Sequence, residues 1–211
     1  MNVNKEQMKL YAITDRQWLN GRDFYEEIEN ALKGGATFLQ LREKNATHEE
    51  IVKAASRIKK IASRYNVPFV IDDDVYAVIE SGADGVHIGQ SDMDYEKARQ
   101  ILGKDRIIGM TAKTVEQAVN AEKLGTDYIG SGAVFGTTTK KDAVALPKEQ
   151  LIKITNAVNI PVVAIGGITL DNMDYLKDTG VDGVAVVSAI FAADDVYGAA
   201  KKLRAKVDKL A

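Results

Sequence analysis

The sequence predicts an α/β protein folded as one (β/α)8 TIM barrel, a single domain over residues 1–211. Three observations predict it. Short runs of β-branched and apolar residues alternate with longer segments of helical period, the pattern of βα units around a parallel sheet. Eight such pairs fit into 211 residues, which suits a small barrel. A weak repeat, GATFLQL, GADGVHIG, GTDYIGSG and GVDGVAVV, sets a glycine before four of the strands, so helix ends and strand starts are built alike. An open doubly wound sheet is the alternative, but it lacks an early GxGxxG.

The series opens with a strand over 10–13 and a helix over 23–33, where Phe24, Ile28, Ala31 and Leu32 share a face before Gly34 and Gly35 stop it. A strand over 38–41 follows, then a helix to Tyr65 that starts at Thr47, with Glu50 three residues on as its capping box. Pro68 ends that connection before the strand 69–71. The next units are compact: helix 75–81, strand 85–88, helix 95–102, strand 107–110, amphipathic helix 114–124 and strand 128–130. Helix 148–158, strand 162–165, helix 171–179, strand 183–186 and a last helix over 195–210 complete eight pairs.

Composition bounds the function. With 45% hydrophobic and 27% charged residues and no Pro/Ser-rich linker, the chain reads as an ordinary soluble globular protein. A formal net charge of −2 argues against a nucleic-acid partner while leaving room for a local basic pocket. The lack of cysteine excludes disulfides, thiolate metal sites and a cysteine nucleophile. The N-terminal MNVNKEQMK lacks the apolar core of a signal peptide, and no run approaches the roughly 20 apolar residues that span a bilayer. No membrane partner is expected, and the expected location is cytoplasmic.

In such a barrel the active site is assembled from loops at the carboxyl ends of the strands, so the residues there carry the functional reading. The stretch GSGAVFGTTTKK joins flexible backbone to Thr137, Thr138, Thr139, Lys140 and Lys141, a composition that suits phosphate or diphosphate, or else a solvated loop. After the second strand come Gln40, Arg42, Glu43 and Lys44; Arg42 and Lys44, two apart on extended chain, project to one side as a clamp for a dianion. After the third come Asp72, Asp73 and Asp74. Adjacent carboxylates repel unless a cation intervenes, and Mg²⁺ is the natural partner, with Asp92 a further ligand and Asp74 a candidate helix N-cap. His87, alone in an apolar run, reads as a structural, hydrogen-bonded residue. Thr111 and Lys113 end the fifth strand, and Gly166, Gly167, Val187 and Ser188 offer backbone N–H groups as a phosphate cup. Two anion sites around a metal suggest two phosphorylated substrates and diphosphate transfer.

Together LYAITD, QLREK, the IDDDV segment, GADGVHIGQSD, the FGTTTKKD segment, VVAIGGIT and GVDGVAVVSAI resemble thiamine-phosphate synthases, in family order and spacing over nearly the whole chain. The resemblance implies attack of a thiazole phosphate nitrogen on 4-amino-2-methylpyrimidine-5-methyl diphosphate, with diphosphate displaced, and it implies Mg²⁺. Position by position it implies that Gln40, Arg42, Lys44 and Lys140 bind the pyrimidine diphosphate and that Asp73 and Asp92 hold Mg²⁺. It places Thr137 to Thr139, Gly167, Val187 and Ser188 on the thiazole phosphate. Leu41, Glu43, Asp72 and Thr111 complete the implied substrate contacts, with Lys140, Arg42 and Lys44 as the catalytic cations. The chain departs from the family in having Asp72 for Asn, Thr111 for Ser and Gly136 for Pro. A related thiazole tautomerase has a His where this chain has Lys113, which removes its proton shuttle; a non-catalytic phosphate-binding paralogue is the remaining alternative, motivated by Asp72.

Overall fold

The computed structural model describes residues 3–136 and 145–210. Eight parallel strands close into a barrel in sequence order: β1 (Leu10–Ile13), β2 (Phe38–Leu41), β3 (Phe69–Asp72), β4 (Gly85–Ile88), β5 (Ile107–Thr111), β6 (Tyr128–Gly132), β7 (Val162–Ile165) and β8 (Gly183–Val186). The seam is β8 against β1, with Ala185 beside Tyr11. Around the barrel lie α1 (Phe24–Lys33), α2 (His48–Arg64), α3 (Val75–Ser81), α4 (Tyr95–Leu102), α5 (Val115–Leu124), α6 (Lys148–Ala157), α7 (Ser188–Phe191) and α8 (Val196–Val207).

Period-two alternation along the strands builds two separate apolar layers. One set, including Leu10, Ala12, Leu39, Leu41, Ile71, Val86, Ile108, Ile129 and Val184, packs outward against the helices. The other, including Tyr11, Ile13, Phe38, Val70, Ile107, Tyr128, Val163 and Ala185, fills the barrel. The same alternation turns Gln40, Asp72, His87 and Thr111 inward, toward the carboxyl end of that filling.

The glycine repeat has a physical basis. Gly35, Gly82, Gly125 and Gly180 all have positive φ, between 74° and 106°, where a Cβ would be strained. Two residues after each glycine, at the entry to an even-numbered strand, a side chain binds back to the preceding odd strand. Thr37 Oγ1 accepts from Leu10 N, and Asp84, Asp127 and Asp182 accept from Phe69 N, Ile108 N and Val162 N, all at 2.9 Å. The main-chain N–H of the same four residues donates to the carbonyl of the same four partners. Each clip therefore ties an even strand to its odd neighbour through a pair of bonds.

Several boundaries differ from the sequence expectation. Strands β3 and β5 run one residue further and β6 two, to Gly132, while the last helix stops at Val207. Between β7 and β8 stands only a 3-10 turn, Met173–Leu176, in place of a helix over 171–179. Leu170, just before it, and Met173 and Leu176 within it recur every three residues, the period of a 3-10 helix rather than the 3.6 of an α-helix. The short α7, not anticipated as an element of its own, precedes α8.

Candidate active site

The ends of β2, β3 and β4 gather the charged residues into one cluster. Lys44 Nζ lies 2.9 Å from Asp72 and pairs also with Asp73, while Arg42 Nε lies 3.7 Å from Asp72. Arg42 also reaches Asp15 at 3.8 Å, and its main-chain N–H donates to the fully buried Thr14 Oγ1 at 3.1 Å. Burial works against the Lys44 ammonium, but its bonds to Asp73 and Asp72 outweigh that and raise its pKa. Asp73 occupies a γ-turn: Asp74 N donates to Asp72 O at 2.8 Å and Asp73 has φ 64°, a conformation costly for a residue with a Cβ. Its N–H is held by His87 O at 2.9 Å. Asp92 sits in hydrogen-bond contact with the Asp73 carboxyl; burial first, and Asp73 next, push its pKa up, against the pull of the Gly89 N–H that donates to it at 2.7 Å.

Two hard carboxylates facing one another fit a Mg²⁺ site. Among the described residues no group of three or more His, Asp and Glu is placed to hold a metal by itself. Two protein carboxylates are the usual share where substrate phosphates complete the shell.

Beneath the cluster, hydrogen bonds run across the barrel. Gln40 Nε2 donates to Tyr11 OH at 2.6 Å, the Tyr11 and Tyr128 hydroxyls are 2.8 Å apart, and His87 lies 3.1 Å from Tyr128 OH and 3.0 Å from Thr111 Oγ1. Burial lowers the His87 pKa to about 4, the Asp92 charge opposing without offsetting it, so the ring is neutral at pH 7. Burial likewise raises both phenols, leaving them un-ionised. Gln90 steadies the far end, its Nε2 donating to Thr111 O at 2.6 Å. His87 is thus the hydrogen-bonded residue the sequence suggests, and Asp74 is the N-cap of α3, accepting from Ala77 N at 2.9 Å.

On the other side of the mouth, β7 is followed by Gly166 and Gly167, with φ 102° and 65°. A Cβ on Gly167 would stand 2.4 Å from Gly136 O, so the bare backbone lets the β6 loop lie against this turn. Asn172 fixes the turn from both ends: its Nδ2 donates to Gly167 O and its Oδ1 accepts from Thr169 N, each at 2.8 Å. Val187 and Ser188 follow β8, with Ser188 the first residue of α7.

Of the residues singled out from sequence, Arg42, Lys44, Asp72, Asp73 and Asp92 converge, and Gln40 and Thr111 are joined through the barrel. Glu43 and Leu41 go elsewhere. The Glu43 side chain bonds Arg16 in the β1 loop, and Leu41 buries its side chain in the outer layer. Thr137, Thr138, Thr139 and Lys140 lie outside the described residues. Tyr11, Tyr128, Thr14, Asp15 and Asn172 were not singled out; for Thr14 and Asp15 a signal existed in the polar pair directly after the first strand.

A closed (β/α)8 barrel with its charged residues collected at the carboxyl ends of the strands is the architecture of a barrel enzyme. A family model described as thiamine monophosphate synthase matches residues 10–190. The chain belongs to the thiamine monophosphate synthase family. A thiamine-phosphate synthase of Clostridium novyi (strain NT) is 48% identical over 204 residues, 96% of this chain and 98% of its own. One from Fusobacterium nucleatum subsp. nucleatum is 48% identical over 197 residues, 92% of this chain and 95% of its own. Among solved structures, thiamine phosphate pyrophosphorylase from Pyrococcus furiosus superposes with a TM-score of 0.90 at 41% identity, covering 98% of each chain.

Proposed function

We propose that the protein joins 4-amino-2-methylpyrimidine-5-methyl diphosphate to 4-methyl-5-(2-phosphoethyl)thiazole, giving thiamine phosphate and diphosphate. The observation that carries the reading is the meeting of Arg42 and Lys44 with Asp72, Asp73 and Asp92 at the ends of three neighbouring strands. Cations and carboxylates there neutralise one another in the free protein, and both kinds of charge are what a metal-bound diphosphate needs. The bond from the methylene carbon to the diphosphate oxygen breaks, its electron pair leaves with diphosphate, and the thiazole nitrogen bonds to the same carbon.

Arg42 and Lys44 bind the diphosphate and stabilise the charge that grows on it as it leaves, joined by Lys140. Gln40, Thr111 and Asp72 line the pyrimidine side. Gly167, Val187 and Ser188, with Thr137 to Thr139, receive the thiazole phosphate through backbone N–H groups and hydroxyls. Asp73 and Asp92 would hold Mg²⁺, which when bound supplies further charge neutralisation to the diphosphate. No protein nucleophile is required, because an electron-rich pyrimidine supports the cationic carbon.

The test is turnover of both substrates by the purified protein, with thiamine phosphate and diphosphate measured together. Activity is expected to vanish in chelator and to return with Mg²⁺. Full activity in chelator would remove the metal from the reading, and absence of thiamine phosphate under every metal condition would remove the reading itself.

A further inference from the structure

Gln40 on β2 and Thr111 on β5 stand three strands apart, yet an unbroken line of hydrogen bonds through Tyr11, Tyr128 and His87 connects them. The sense of that line follows from counting protons. A phenol hydroxyl has one proton to give, and a neutral imidazole has one N–H and one lone pair. Gln40 gives an amide N–H to the Tyr11 oxygen. The Tyr11 proton then goes to Tyr128, the Tyr128 proton to His87 Nδ1, and the ring proton sits on Nε2 and is donated to Thr111 Oγ1. The Thr111 proton is left over for a ligand. Turning the Gln40 amide over would reverse every link, and Thr111 would then donate to His87 and could only accept from a ligand.

We propose that Tyr11, Tyr128 and His87 are positioning residues that hold Gln40 and Thr111 in one shared donor–acceptor sense. Thr111 thereby meets the substrate as a hydrogen donor, to a ring nitrogen or a phosphoryl oxygen. The substrate's identity in this inference rests on the synthase reading; the sense of the line does not. Gln40, Tyr11 and Tyr128 are no more than 3% exposed, so a broken link strands a polar atom that water cannot reach. The backbone is cleared for the rings: a Cβ on Gly109 would stand 2.1 Å from Tyr128 Cζ, and one on Gly130 would stand 3.3 Å from His87 Cε1.

Nitrogen NMR of the full chain labelled in its two histidines, with a His48→Asn variant to assign them, reads the tautomer directly. His87 is expected to carry its proton on Nε2 and to relax to a mixture of tautomers in Tyr128→Phe, with Tyr11→Phe as a second variant cutting the same line. A proton on Nδ1 in the natural protein, or an unchanged tautomer in both variants, overturns the proposal. In steady-state kinetics, Thr111→Val is expected to lower kcat/KM for the pyrimidine diphosphate about tenfold in the natural background and under about threefold in Tyr128→Phe, because contacting residues in one network couple. Losses that simply multiply overturn the proposal. A natural protein that makes no thiamine phosphate overturns the synthase reading instead, and the tautomer still decides the sense of the line.

Discussion

Lys44 Nζ lies 2.9 Å from Asp72 Oδ2, an ion pair between the ends of β2 and β3. An incoming diphosphate competes with Asp72 for Lys44, and an ionised Asp offers an aminopyrimidine only acceptors, where Asn offers both a donor and an acceptor. Asp72→Asn is therefore expected to raise kcat/KM for the pyrimidine diphosphate about fivefold, equivalent to ~1 kcal/mol, one net hydrogen bond. The comparison is made at saturating Mg²⁺. A variant equal to the natural protein or worse gives Asp72 a productive role of its own.

Lys44→Ala is expected to lower kcat by roughly 10²-fold, the usual cost of removing one preorganised group from a developing charge. Because its carboxylate partners raise the Lys44 pKa, the ammonium is present at any neutral or mildly alkaline assay pH. The defect should thus be flat across that range in a pH–rate comparison with the natural protein. A change confined to the KM of the thiazole phosphate would move Lys44 to the other anion site.

What the sequence made legible is what depends on local pattern. Strand periodicity, the Thr47–Glu50 capping box and the glycine before each even strand all reappear, because each follows from the conformational needs of a few adjacent residues. Asp73 and Asp92 could be paired in advance because both follow neighbouring strands. Tyr11 and Tyr128 could not. Each reads as an ordinary aromatic in an apolar strand, and only closure of the barrel brings β1 and β6 residues into hydrogen-bond contact. The segment after β7 reads as a helix because three- and four-residue spacings both suggest one, whereas Leu170, Met173 and Leu176 keep to three and the chain forms a 3-10 turn. Glu43, which the resemblance implies as a substrate contact, lies between Arg42 and Lys44, and alternation along extended chain sends its side chain the other way, to Arg16.

The clip at Asp84 predicts a stability defect with no catalytic one. Asp84 accepts from Phe69 N at 2.9 Å and pairs with Lys59 at 2.6 Å, far from the carboxyl ends of the strands. Asp84→Ala leaves the N–H of the fully buried Phe69 without its side-chain acceptor, at a cost of about 2 kcal/mol. For a chain of this size that is a fall in Tm of roughly 4–8 °C. Calorimetry should show that fall while kcat and both KM values at 25 °C stay within about twofold of the natural protein. An unchanged Tm would mean that the remaining main-chain bond suffices to hold the strands.

The two histidines have pKa shifts of opposite sign. Burial lowers His87 from 6.5 to about 4, so between those values the unfolded chain binds a proton that the folded chain does not. Its contribution makes stability fall as pH drops from 6.5 toward 4. His48 is shifted the other way by its bonds to Asp74 and Glu80, at 2.7 and 3.1 Å. Its folded pKa lies above 6.5, so its contribution is complete below that value and is lost as pH rises through the folded pKa. The two together give a stability maximum near pH 6.5. Urea unfolding from pH 4.5 to 8.5 separates them: His87→Gln should flatten the acid limb relative to the natural protein, and His48→Gln should flatten the alkaline limb. An acid limb equally steep in His87→Gln would assign it to carboxylates, and an alkaline limb untouched by His48→Gln would show that the Asp74–His48–Glu80 bridge contributes no stability in solution.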